Sequence, residues 1–217
     1  MTNTNLTHLY FLLDRSGSML SIKEDTEGGF NAFIEEQRRQ PGECRVTLAQ
    51  FDTEYEQVYA DRAIADVPAL RLQPRGTTAL LDSIGRLVTT AGERLAGLPE
   101  AERPGSVIVG IMTDGLENAS REYTHAAVKA LIERQTRDHG WHFLYMGADQ
   151  DAIEVGASIG VDAAHAVTYS RANVHAVMGA TSANVSRYRS ARAQGMPLDE
   201  AALMTAYTDA QREAAGD

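Results

Sequence analysis

A doubly wound α/β domain with a mainly parallel sheet is predicted by three features of the sequence. Short strand-like runs recur, amphipathic helical patterns separate them, and most of the runs are continuously apolar rather than alternating. The first run is His8–Leu13, followed by Asp14 and a polar turn. A helix comes next, its inner face marked by Phe30, Phe33 and Ile34, and Pro41 lies beyond it. Cys44–Phe51 places Val46, Leu48 and Phe51 on a buried face. Glu56–Ile64 is a weaker strand with exposed polar positions, suited to an antiparallel edge. Ala79–Leu98 carries Leu80, Leu81, Ile84, Leu87, Val88 and Ala91 on one helical stripe. Ser106–Met112 and His142–Met146 are fully apolar strands. The helix between them spans Thr124–His139, with Gly140 as its stop. Asp151–Ile159 reads as a short helix, Ala164–Tyr169 as the sixth strand and Val174–Arg192 as a long helix. Asp199–Glu213 reads as a final Ala-rich helix. The expected sheet has six strands with helices on both faces.

The chain has 217 residues and a net charge of −10, from 30 acidic and 20 basic side chains. Such a surface repels phosphate backbones, so a nucleic-acid partner is not expected. No stretch approaches the ~20 apolar residues of a membrane helix, and the start lacks a basic leader, so a soluble, cytoplasmic protein is expected. Cys44 is the single cysteine, which excludes an internal disulfide framework. The six histidines show no metal-ligand spacing beyond His139 and His142 around a Gly-Trp turn, which reads as a strand entry. Residues 1–6 are expected to be disordered, 7–195 to form the domain, and 196–217 to hold a helix packed on it or extending from it.

In a doubly wound sheet, ligands bind beyond the carboxyl ends of the strands. There the sequence places Asp14-Arg15-Ser16-Gly17-Ser18, Arg75-Gly76-Thr77-Thr78 and Thr113-Asp114-Gly115. Two carboxylates and several hydroxyls suit a hard cation such as Mg²⁺ or Mn²⁺, and the lack of His or Cys argues against zinc. Alternate side chains of a tight Asp-x-Ser-x-Ser turn converge on one ion, with Gly17 expected to take unusual backbone angles. Thr78 would stand at a helix N-terminus.

These three motifs, in this order, resemble the von Willebrand factor type A domain with its metal-ion-dependent adhesion site. The likeness covers about residues 6–195. It is nearest to the short, stand-alone bacterial members, which share elements like Gly29-Phe30-Asn31 and Thr113 to Asn118. The resemblance implies a Rossmann-like three-layer fold. It also implies direct metal binding by the Ser16 and Ser18 hydroxyls, with Asp14 and Asp114 acting through water or switching to direct contact. Thr78 is the remaining ligand, because Ala79-Leu80-Leu81-Asp82-Ser83-Ile84 follows it as the helix follows in relatives; Thr77 is the alternative. An acidic side chain of a partner protein would complete the coordination of Mg²⁺ or Mn²⁺, without catalytic turnover. Arg15, Thr77, Glu117 and Asn118 are candidates for touching that partner.

Two enzyme signatures are missing: there is no dinucleotide fingerprint and no Walker loop. The rival reading is a Mg²⁺-dependent phosphotransferase or phosphatase using Asp14 as nucleophile. Such enzymes usually place a second Asp two residues on, where this chain has Ser16.

Overall fold

Twelve residues, Asn3–Asp14, form β1, the strand on which the molecule is built. The computed structural model describes residues 2–216. A 3-10 segment (Gly17–Ile22) leads from β1 into α1 (Lys23–Arg38). Next come β2 (Glu43–Phe51), β3 (Tyr55–Ala63), α2 (Leu80–Gly97), β4 (Pro104–Thr113), α3 (His125–His139), β5 (His142–Ala148) and α4 (Ala152–Ser158). β6 (Ala166–Tyr169), α5 (Val174–Ala193), α6 (Leu198–Ala202) and α7 (Asp209–Gly216) complete the chain. The six strands lie in the order β3-β2-β1-β4-β5-β6. Every pairing is parallel except β2 with β3, which makes β3 the antiparallel edge.

The period of two along β1 sorts its side chains into two cores. Leu9, Phe11 and Leu13 join Phe30 and Phe33 of α1 and Val177 and Met178 of α5. Tyr10 and Leu12 join Ile84, Leu87 and Val88 of α2 and Val128 and Ile132 of α3. Phe11 meets Phe30 and Phe33 edge-on, at centroid distances of 5.1 and 4.9 Å. The Gly29-Phe30-Asn31 element has a local reason. A Cβ on Gly29 would stand 3.0 Å from the Met178 Cγ, so glycine lets α1 and α5 close together. Asn31 Oδ1 accepts the Leu70 N–H at 2.8 Å and thereby ties down the long segment between β3 and α2.

The amino-terminal expectation needs correction. Met1 lies outside the described residues, but residues 3–6 belong to β1 rather than to a disordered tail. The neighbouring strands extend far enough to pair them: Asn3 is opposite Pro104, its N–H donates to the Arg103 carbonyl at 2.8 Å, and Leu6 is opposite Glu43. Polar side chains hid this, because backbone pairing does not depend on them. The sixth strand is shorter than expected, since Ala163–His165 is a 3-10 turn.

The final helix is also not continuous. Leu203–Thr205 is a 3-10 turn after α6, and Ala206 is extended. That break buries Tyr207, whose hydroxyl lies 2.7 Å from Thr181 Oγ1 on α5. Thr208 and Gln211 then exchange side-chain and backbone bonds of 3.0 and 3.2 Å, a reciprocal cap that restarts the helix as α7. Ser170 N–H donates to the Ala215 carbonyl at 2.8 Å, so the described carboxyl-terminal segment docks beside β6. No helix among the described residues is long and apolar enough to cross a membrane.

Candidate metal centre

β1 and β4 are adjacent, and the crossovers leaving them run to opposite sides of the sheet. The carboxyl ends of these two strands therefore open onto the crevice where a doubly wound sheet binds ligands. Asp14 ends β1, and Thr113 ends β4 with Asp114 next. Asp14 is fully buried. Its Oδ1 accepts the Ser16 N–H at 2.6 Å, and its Oδ2 accepts the Thr113 hydroxyl at 2.6 Å. The Ser18 hydroxyl donates to Asp114 Oδ1 at 2.6 Å, and Ser16 Oγ lies 3.1 Å from Ser18 Oγ. A Cβ placed on Gly115 would sit 3.2 Å from Thr78 Oγ1 and 3.8 Å from Ser18 Oγ, which puts the Thr78 hydroxyl at the same cluster. All five expected donors, Asp14, Ser16, Ser18, Thr78 and Asp114, thus converge.

Thr77 is directed elsewhere: it is exposed, and its hydroxyl lies 3.0 Å from Thr53 Oγ1. The left-handed residue of the site is not Gly17 but Gly76, with φ of 66°. A Cβ there would come within 2.8 Å of Thr53 Oγ1. Gly17 stays outside the left-handed region, and its N–H donates to the Gly76 carbonyl at 3.2 Å, joining the two loops.

Three of the expected partner-contacting residues make bonds within the protein. Arg15 is buried, with Nε donating to Asp52 Oδ2 at 2.9 Å and Nη1 to Glu56. Glu117 accepts the Leu81 N–H at 2.8 Å, capping α2, and also accepts the N–H groups of Ala119 and Ser120. Asn118 and Thr78 exchange two bonds, of 3.0 and 3.1 Å. These bonds hold the loops in place, with Arg15 buried, Glu117 half-buried, and Asn118 and Thr77 exposed.

Two residues that the motifs did not reveal complete the arrangement. Asp52, directly after β2, is buried and receives Arg15, Arg75 (2.8 Å) and the Glu54 N–H (2.8 Å). Arg171, just beyond β6, lies with Nη2 at 3.3 Å from Asp114 Oδ2 and 3.1 Å from the Asp114 carbonyl. Asp52 directly follows β2 and Arg171 lies two residues beyond β6, as Ser16 and Asp114 lie just beyond β1 and β4. Position was therefore the signal that could have found them: the residues just past every strand end are candidates, whether or not a motif marks them.

Burial raises the Asp14 pKa from 3.8 to about 6, despite its bonds from Thr113 and Ser16, and the nearby Asp114 adds to the rise. Burial raises Asp114 as well, against the Ser18 bond and the Arg171 charge. Its side chain is fully shielded, and Oδ2 has no hydrogen-bond partner. Two buried carboxylates that resist ionising, one with an oxygen that has an ion pair but no hydrogen bond, form an arrangement that a divalent cation would relieve. Among the described residues no group of three or more His, Cys, Asp and Glu is placed to hold a metal. The donors available here are two carboxylates and three hydroxyls, which fits a hard, oxygen-seeking ion. Asp52 behaves oppositely. Burial works to raise it, but Arg75, the Glu54 N–H and Arg15 together hold it below the ordinary carboxylate value.

No family sequence model matches the chain, and no curated protein sequence does either. Solved structures do match it. Proximal thread matrix protein 1 from the mussel byssus superposes with a TM-score of 0.57 at 16% identity, over 80% of this chain and 46% of that one. The vWF domain of the type V pili tip protein Mfa5 from Porphyromonas gingivalis gives 0.55 at 13% identity, over 83% and 93%. The ArnB paralog VWA2 from Sulfolobus acidocaldarius gives 0.53 at 15% identity, over 81% and 44%. The chain thus spans less than half the length of the mussel and archaeal proteins. With the strand order and the single antiparallel edge, these likenesses define a Rossmann-like fold of the von Willebrand factor type A kind.

Proposed function

We propose that this domain is a protein-binding module that works through a divalent cation, Mg²⁺ or Mn²⁺, held by Asp14, Ser16, Ser18, Thr78 and Asp114. The observation that carries this reading is the clustering of those oxygen donors, in which Ser18 bonds Asp114 Oδ1 and lies beside the Ser16 and Thr78 hydroxyls, while the buried Asp114 Oδ2 has an ion pair with Arg171 but no hydrogen bond. When bound, the cation supplies an electrophilic position for an Asp or Glu side chain of the partner. The chain's own part is to keep the donors in place. Asp14 is locked by Ser16 and Thr113, Ser18 orients Asp114, and the Asn118 pair fixes the backbone of Thr78. The fold supports the reading as well, because it is shared with vWF-type domains such as that of a pili tip protein.

The geometry of Asp14 speaks against a phosphoryl-transfer role. A nucleophilic carboxylate must present a free oxygen to substrate. Asp14 is fully shielded, and the second carboxylate such an enzyme places two residues on is replaced by Ser16.

Ser18 offers the cleanest test because it is exposed, whereas Ser16 is buried. Ser18→Ala is expected to lower Mn²⁺ affinity by about tenfold or more while leaving the fold intact. Calorimetric titration beside a thermal melt of the metal-stripped protein checks this. Unchanged Mn²⁺ affinity would count against the proposed ligand set.

A further inference from the structure

Arg171 lies in a 3-10 turn between β6 and α5, with its side chain 41% exposed. Its Nη2 is anchored on the Asp114 carbonyl at 3.1 Å, so the position of the guanidinium does not depend on the Asp114 side chain alone. Nε is buried without a hydrogen-bond partner, 3.5 Å from Asp149 Oδ2. A guanidinium carries five N–H donors; here Nη2 meets Asp114 and Nε faces Asp149, and a half-exposed fork of this kind suits a further planar carboxylate.

Apolar side chains flank the same place. Leu20 and Leu116 are 70% and 61% exposed, and among the large hydrophobic residues described only Leu203 is more so. Each stands two positions beyond a site residue, Ser18 or Asp114. Consecutive Cα atoms are 3.8 Å apart, so each leucine lies within about 8 Å of a donor's Cα. Ser18 and Asp114 are themselves bonded at 2.6 Å, which draws the two leucines around one centre. Exposed leucines scattered singly mean little, but two beside a half-exposed cation make a surface with a defined complement.

We propose that Arg171, Leu20 and Leu116 form the partner-reading rim of this site, and that the segment it takes is an acidic side chain with aliphatic neighbours. Arg171 pairs with the carboxylate, and the leucines cover the flanking aliphatic groups. This inference rests on the metal-dependent reading of the site and adds to it which partner is selected. Because Arg171 is a cation beside Asp114, removing it acts in opposite directions on the two ligands. A metal ion gains by losing a neighbouring positive charge, whereas an acidic partner loses a donor.

The test uses the whole chain, Mn²⁺, and the blocked peptide acetyl-Gly-Leu-Asp-Leu-Gly-amide, with an asparagine version as control. The wild type is expected to bind the acidic peptide only when Mn²⁺ is present, and the asparagine version not at all. Arg171→Ala is expected to weaken the acidic peptide by about tenfold, with Mn²⁺ alone bound at least as tightly as by the wild type. Leu20→Ser with Leu116→Ser is expected to weaken the peptide several-fold without altering Mn²⁺ binding. Peptide affinity indifferent to Arg171, or Mn²⁺ and peptide affinities falling together, would overturn the rim while leaving the metal reading standing. Failure of the wild type to take the peptide in Mn²⁺ would do the same. Failure to bind Mn²⁺ at all would overturn the metal reading and the rim with it.

Discussion

In metal-free buffer at neutral pH, Asp14→Asn is expected to be more stable than the wild type, by about 3 kcal/mol. The reason is the raised pKa of Asp14, about 6 in the fold against 3.8 outside it. Between those values the folded chain holds a proton that the unfolded chain has released, so stability falls as pH rises through the window. The benefit of the neutral form is complete below 3.8 and gone above about 6. Asparagine keeps the neutral state at every pH, and the Thr113 hydroxyl can turn to accept its amide, because Gly115 offers that hydroxyl an alternative acceptor at 3.0 Å.

The wild-type profile alone cannot display this effect. His8 is buried and His142 half-buried, and burial lowers their pKa values to about 3 and about 4, with His165 also lowered. Those imidazoles make the fold more stable as pH rises through the same range, in the opposite sense to Asp14. The difference between the two chains removes them. In EDTA the melting points should coincide near pH 4 and separate by on the order of 6–12 °C above pH 6, with the variant higher. Saturating Mg²⁺ should close or invert the gap, since the metal stabilises the ionised carboxylate. A variant less stable than the wild type in EDTA at pH 7 would contradict the assignment of Asp14 as a strained, metal-seeking group.

Asp52→Ala is expected to destabilise the fold by about 2–4 kcal/mol. Asp52 and Arg15 are both almost fully shielded, and removing the carboxylate leaves Arg15 with only the exposed Glu56. The same change frees Arg75 and the Glu54 N–H. The loss reaches the metal centre through the backbone. Arg15 lies between two of the donors, and its carbonyl accepts the Arg75 N–H at 2.8 Å next to Gly76. Urea unfolding should show a lower midpoint with an unchanged slope. Because Asp52 is held below the ordinary carboxylate value, its contribution is complete at neutral pH and fades only as pH falls through that lowered value. A midpoint equal to the wild type would mean that the two arginines find other partners without cost.

Much of this was legible in the sequence, for identifiable reasons. Continuous apolar strands and a weak polar one announced a parallel sheet with an antiparallel edge, which the structure contains. The five candidate ligands were nameable because their types and order are unusual, and the fold brings their side chains close together. Asp52, Arg75 and Arg171 are ordinary residues in isolation, and their roles exist only through partners as much as 57 positions away. The loop-holding bonds of Arg15, Glu117 and Asn118 were hidden for the same reason. Polar residues beside a site bind its loops as readily as they meet a partner. The extension of β1 to Asn3 depended on how far its neighbours reach, and the break before α7 on the burial of Tyr207. Neither is a property of local composition.

The most direct test of the account is a Mn²⁺ titration of EDTA-stripped protein, following free Mn²⁺ by electron paramagnetic resonance, beside Asp114→Ala. The expected result is a single saturable ion per chain in the wild type and its loss in the variant, with both chains folded by circular dichroism. Equal binding by the two chains, or no binding by a folded wild type, would contradict a metal centre at the ends of β1 and β4.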